Sequence, residues 1–222
     1  MVQRVRQAHT GSVAEEVRSY IDSRPVVRDA VAMGIVNLSA LTRKIMQETG
    51  ISQEEAVLVA CRRYESPNDG AGFEAGIRDV LKRGNLEVRT HAALLNVRPS
   101  WDVYHKLERT MSAFHGQHHP LHVIQGSDSL TIITDEGVLS EIEEIVGEEQ
   151  VIKRRTQLVE LNLRVPEESE MVPGIVAFLT SSLASRGINV LEVISVYKDN
   201  MFLIEEDDLF EAFGILNGLI RN

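Results

Sequence analysis

The chain has 222 residues, with 23 Lys plus Arg against 33 Asp plus Glu and a formal net charge of −10, enough for one large domain or two to three small ones. Its 43% hydrophobic and 25% charged content is ordinary for a globular protein and excludes a disordered or fibrous chain, while the acidic balance argues against broad phosphate binding. A single cysteine, Cys61, permits neither an intramolecular disulfide nor a thiolate metal site, and no apolar run reaches the ~20 residues that cross a bilayer, so a cytoplasmic setting is expected.

Residues 1–85 read as helices and carry 12 basic and 11 acidic side chains, for a net +1. Ser12-x-x-Glu15 is a capping-box pattern, followed by Val13, Val17, Tyr20 and Ile21 on one face. Pro25 ends that helix, Val26 to Met33 gives a second, and Leu38, Leu41 and Ile45 mark a third that Gly50 is placed to end in the left-handed conformation. Ser52-x-x-Glu55 is a second capping box, opening a helix that runs to about Tyr64. After the turn-rich segment from Ser66 to Gly70, Phe73, Ile77, Val80 and Leu81 form a last amphipathic helix.

From Leu86 the period falls to two, most cleanly in Val159, Leu161, Leu163 and Val165 with Glu160, Asn162 and Arg164 between them. Such alternation predicts a sheet with one wet face. Residues 86–222 carry 11 basic and 22 acidic groups, for −11. Trp101, Tyr104, Leu107, Met111 and Phe114 have helical spacing. A hairpin follows at Leu121 to Ile124 and Leu130 to Ile133, and Val138, Ile142 and Ile145 mark another helix.

The pattern repeats. Leu121-His122-Val123-Ile124 aligns with Leu191-Glu192-Val193-Ile194, and the segments from Leu130 and Met201 align one turn residue further on. Val138, Leu139, Ile142, Ile145 and Gly147 then match Leu209, Phe210, Phe213, Leu216 and Gly218. The expected fold class is α+β: a helical domain at 1–85, then two ferredoxin-like βαββαβ repeats at 86–150 and 151–222. Few aromatics lie on the strands and the region is acidic, which removes an RNA-stacking sheet.

The stretch most informative about function is Val165 to Val190. Pro173 suits a first helical position, Gly174 has no side chain, and Val172 has no oxygen with which to cap a helix. Amides near Gly174 and Ile175 are therefore open to a carboxylate. The run Val172-Pro173-Gly174-Ile175-Val176, a helix, then Gly187-Ile188-Asn189-Val190 and a strand resembles an ACT domain. The likeness is to the C-terminal regulatory ACT pair of aspartate kinases without the kinase, and is stronger over 158–222 than over 86–150. The whole chain resembles small archaeal-type predicted regulators of amino-acid metabolism. This resemblance implies an amino-acid effector site at Met171, Val172, Pro173, Gly174, Ile175, Asn189 and Val190, in a non-catalytic regulator that forms homodimers; no cofactor or metal is expected.

In the first repeat Arg98-Pro99-Ser100-Trp101-Asp102 stands where Pro-Gly is expected, and Ser100 can cap the helix itself, which suggests a structural partner. Glu167, Glu168 and Glu170 favour a helix dipole and would also attract an ammonium group, which allows a basic amino acid as ligand. His115, His118, His119 and His122 fall within eight residues, but Pro120 interrupts any one helix holding them, and a solvated loop is the better reading. Residues 41–64 have the look of a helix-turn-helix, which makes a ligand-responsive DNA-binding regulator the alternative function. Its second helix starts Gln53-Glu54-Glu55, and two carboxylates would face phosphate. No nucleophile, acid-base or metal arrangement has a defined spacing, so no enzyme activity is expected.

Overall fold

The computed structural model describes residues 11–65, 70–114 and 120–221, with the side chains of 70–74 and 111–114 left aside. Two compact units divide between Gly76 and Ile77.

The first unit is helical: α1 (Val13–Asp22), α2 (Pro25–Ala32), α3 (Leu38–Thr49) and α4 (Glu54–Arg62). Ser12 and Glu15 form the reciprocal capping box, with Oγ accepting from the Glu15 amide at 3.3 Å and the Glu15 carboxylate accepting from the Ser12 amide at 2.8 Å. Pro25 opens α2, and Gly50 closes α3 at φ 82°. The second capping box does not form. Gln53 takes the cap position of α4 without a side-chain bond, so Glu54 and Glu55 act on the helix start through their charge alone. Val17, Ile21, Ile45, Val57 and Cys61 are packed together in the core of this unit. Tyr20 donates to Glu48 at 2.9 Å, and Tyr64 donates to Asp22, tying the segment after α4 to α1. Burial, with help from the Asp22 bond, pushes the Tyr64 hydroxyl up to about 12. Burial likewise raises the Cys61 thiol, which keeps it in the unreactive neutral form.

Helix α5 (Gly70–Leu81) was expected to belong to the helical domain, yet its last two turns place Ile77, Val80 and Leu81 in the core of the second unit. That unit continues through β1 (Asn85–Val97), α6 (Trp101–Phe114), β2 (His122–Gln125), β3 (Leu130–Asp135) and α7 (Glu136–Val146). It then runs through β4 (Val151–Arg164), α8 (Ile175–Ala184), β5 (Glu192–Val196), β6 (Asp199–Glu205) and α9 (Leu209–Arg221). The strands form one antiparallel sheet in the order β2-β3-β1-β4-β6-β5.

The two long central strands are shared. Residues 85–89 of β1 pair with 160–164 of β4, and residues 94–97 pair with 151–155. The half of the sheet holding β5 and β6 therefore receives its fourth strand from the beginning of β1, and the half holding β2 and β3 receives its own from the beginning of β4. Sequence reading expected a closing strand inside each repeat, whereas the last described element is helix α9 and the strand comes from the other half. Where β1 and β4 change partners, each has an irregularity at a non-glycine residue with φ 58°, His91 and Gln157. A left-handed residue in a strand bends and twists it, and one such bend in each central strand folds the sheet.

One face carries the helices over two cores: Leu161, Leu163, Phe202, Leu179, Leu183 and Leu216 on one half, and Leu95, Ile132, Leu139 and Ile142 on the other. Each fully buried aliphatic side chain there contributes about 1.5–3 kcal/mol. The opposite face was expected to be wet, yet Glu160 is only 7% exposed and Leu94, Ile133, Leu158 and Leu203 are buried. Curling is the reason. His122 of β2 lies three strands from Glu160 of β4, roughly 14 Å in a flat sheet, but its Nε2 approaches that carboxylate to 3.2 Å. The sheet thus wraps over its own second face, where Arg89 also reaches Glu160 at 3.3 Å.

Candidate functional site

The chain leaves β4 through Val165, whose amide donates to the Lys198 carbonyl at 2.8 Å and so ties the exit to the turn between β5 and β6. A 3₁₀ turn over Glu167–Met171 follows, then Val172 and Pro173, and α8 begins. Gly174 is its cap residue at φ 87° and ψ 2°, a conformation in which a Cβ would crowd the following carbonyl. Pro173 therefore stands one residue before the cap, not at the first helical position, and its fixed φ serves the turn. Ile175, Leu179 and Leu183 anchor the buried side of α8.

The first intrahelical bond runs from the Phe178 amide to the Gly174 carbonyl at 2.8 Å. No side chain caps this start, so the amides of its first turn have no side-chain partner among the described residues. Those amides and the helix dipole favour an anion. They open into a cleft of about 390 Å³ lined by Ser169, Glu170, Val172, Gly174, Val176 and Ala177 on one side, and by Ser195, Tyr197 and Asn200 on the other. The second wall is held in place. Ser195 Oγ donates to Asn200 Oδ1 at 3.0 Å, Asn200 Nδ2 donates to the Leu163 carbonyl at 3.4 Å, and Tyr197 donates to Glu167 at 2.9 Å.

The family model of the ACT domain matches residues 162–218, which span this cleft, α8, the β5–β6 hairpin and most of α9. This segment matches the ACT domain. The chain is also similar to solved structures: the ligand-free regulatory subunit of aspartate kinase from Thermus thermophilus (12% identity, TM-score 0.48, 60% of this chain and 95% of that one). Aspartokinase alpha and beta subunits follow at 17% identity and TM-score 0.49, over 62% of this chain and 98% of that one. A protein of unknown function from Vibrio cholerae has 14% identity and TM-score 0.45, over 67% of this chain and 98% of that one. No curated protein matches the sequence.

Of the seven residues expected in the ACT effector site, Val172, Gly174 and Ile175 line the cleft. Pro173 lies in the exposed turn beside it and Met171 points to solvent, 85% exposed. Asn189 and Val190 do not reach it: they precede β5, whose first residue pairs with Leu203, whereas the cleft lies where Val196 pairs with Asp199. Sequence reasoning named Glu170 only for the charge it would offer a ligand, and missed Ser169, Val176, Ala177, Ser195, Tyr197 and Asn200. The signal for the last three was present in the hairpin, because antiparallel register places its turn beside the end of β4.

The equivalent passage from β1 to α6 is capped by its own side chain. Ser100 Oγ accepts from the Val103 amide at 3.2 Å, as the sequence suggested, and Trp101 stands in solvent, 82% exposed. Of the histidine group, 115, 118 and 119 lie outside the described residues, as does the turn at 66–69. His122 faces Glu160, and no described group of His, Cys, Asp and Glu could hold a metal ion. The α3-turn-α4 unit has helix-turn-helix order, but the exposed start of α4 presents Glu54 and Glu55. No described helix is long and apolar enough to cross a membrane.

Proposed function

We propose that the chain is a non-catalytic cytoplasmic regulator that binds a free amino acid in the cleft of its ACT domain and signals occupancy to a partner. The supporting observation is the pairing of opposite electrostatics in one cleft. The amides at the start of α8, which no side chain caps, suit an α-carboxylate, and Glu170, which has no described ion-pair partner, suits the α-ammonium group. A zwitterion placed there touches the β4–α8 passage and the β5–β6 hairpin together. Binding therefore favours whichever arrangement holds them closest, in proportion to its differential affinity. The strands at the edges of the sheet, β2 and β5, are short and open to pairing, and we propose that a second copy covers one of them in a homodimer.

A thermal-shift panel of the twenty amino acids tests the reading. At least one should raise the melting temperature of the wild type, and Ala177→Trp, which fills the cleft from a helical position without backbone strain, should abolish the rise. Stabilisation by none, or equal stabilisation of the variant, sinks the proposal.

A further inference from the structure

Resting on that reading of the cleft, we infer that it selects an amino acid whose side chain is neutral and carries a hydroxyl or carboxamide, and that Ser169 sets this choice. The charges on the lining come first. Sequence alone allowed a basic ligand, because Glu167, Glu168 and Glu170 lie together. In the structure two of the three are engaged: Glu167 accepts from Tyr197 at 2.9 Å and lies 3.7 Å from Lys198, and Glu168 lies 3.7 Å from Arg83. Glu170 alone lines the cleft, and the α-ammonium group claims it. A second ammonium on the ligand has no unpaired carboxylate to meet. An acidic side chain fares worse, because no lysine or arginine lines the cleft and Glu170 repels it.

The buried polar groups then separate the neutral side chains. Ser169 is 8% exposed and lines the cleft, yet its hydroxyl makes no hydrogen bond to any described residue. Asn200 is 4% exposed; its oxygen is taken by Ser195, and its nitrogen spends one hydrogen on Leu163, leaving the second for the cleft. An aliphatic ligand would strip water from both groups and return nothing, which is the costly case for a buried donor. A hydroxyl or carboxamide replaces that water, while Val172 and Val176 pack its carbon atoms. Ser169 is the group to vary, because its hydroxyl holds no part of the fold together.

Calorimetric titration of the full chain with the near-isosteric pairs serine and alanine, threonine and valine, asparagine and leucine provides the test. In at least one pair the polar member should bind about tenfold tighter or more. In Ser169→Ala that ratio should fall to about twofold or less, with the Kd of the apolar member unchanged. If an apolar, acidic or basic amino acid is the tightest ligand, or the ratio survives in Ser169→Ala, the inference is overturned while the amino-acid site stands. If none of the twenty binds, the site itself is disproved and the inference with it.

Discussion

At the end of β1 the chain crosses to α6 through Arg98, Pro99 and Ser100, whereas at the end of β4 it crosses to α8 through a 3₁₀ turn, Pro173 and Gly174. The strands are equivalent in the sheet, exchange partners with each other and bend at residues with the same φ of 58°. What differs is who satisfies the helix start. Ser100 supplies an oxygen to the amide of Val103, so the first crossing meets one of its open amides from within. In the second, no side chain reaches the amides of Ile175 to Ala177, and a cleft lies over them. The comparison teaches that the architecture is shared and the difference is local: one crossing caps its helix with a side chain and the other does not, and the proposed site rests on that difference.

The largest expected effect tests the shared part. Leu95 and Leu161 are fully buried in different cores, yet both lie on strands that serve both halves. Leu95→Ala and Leu161→Ala should each cost about 2–5 kcal/mol in urea unfolding, and each should shift the whole transition of the sheet unit. Two separate transitions, only one of them shifted, would break the view that the halves depend on each other.

The next two effects address the crossings. Gly174→Ala forces a Cβ into a left-handed conformation and should cost about 1–2 kcal/mol, weakening any ligand bound beside it. Ser100→Ala should cost about 1 kcal/mol and leave ligand affinity unchanged. A loss of ligand affinity in Ser100→Ala would show that the first crossing takes part in binding.

Much of this was legible in the sequence, for reasons that can be named. Period-two alternation from Val159 to Val165 and the matched hairpins gave the strands, because burial on one face leaves a local trace. Gly174 stood out because it has no side chain, although the structure makes Gly174 and not Val172 the cap residue. Less legible was anything depending on how the sheet closes. Glu160 reads as a solvent-facing strand residue, and only the curl that brings His122 over it explains its burial. The exchange of strands between halves was hidden for the same reason, since pairing of residues 85–89 with 160–164 leaves no mark on either segment alone. Asn189 and Val190 entered the expected site by resemblance, and strand direction places them at the far end of β5.

The central claim is that the open helix start in the segment matched by the ACT-domain model, and not the capped one in the other half, receives the amino acid. Amide chemical shifts of the ¹⁵N-labelled protein, recorded while a stabilising amino acid is added, test it most directly. The account predicts that the amides of Ile175, Val176 and Ala177 move in a saturable, concentration-dependent way, with those of Trp101, Asp102 and Val103 fixed. Movement confined to Trp101 through Val103, or none at either helix start under saturating ligand, would contradict it.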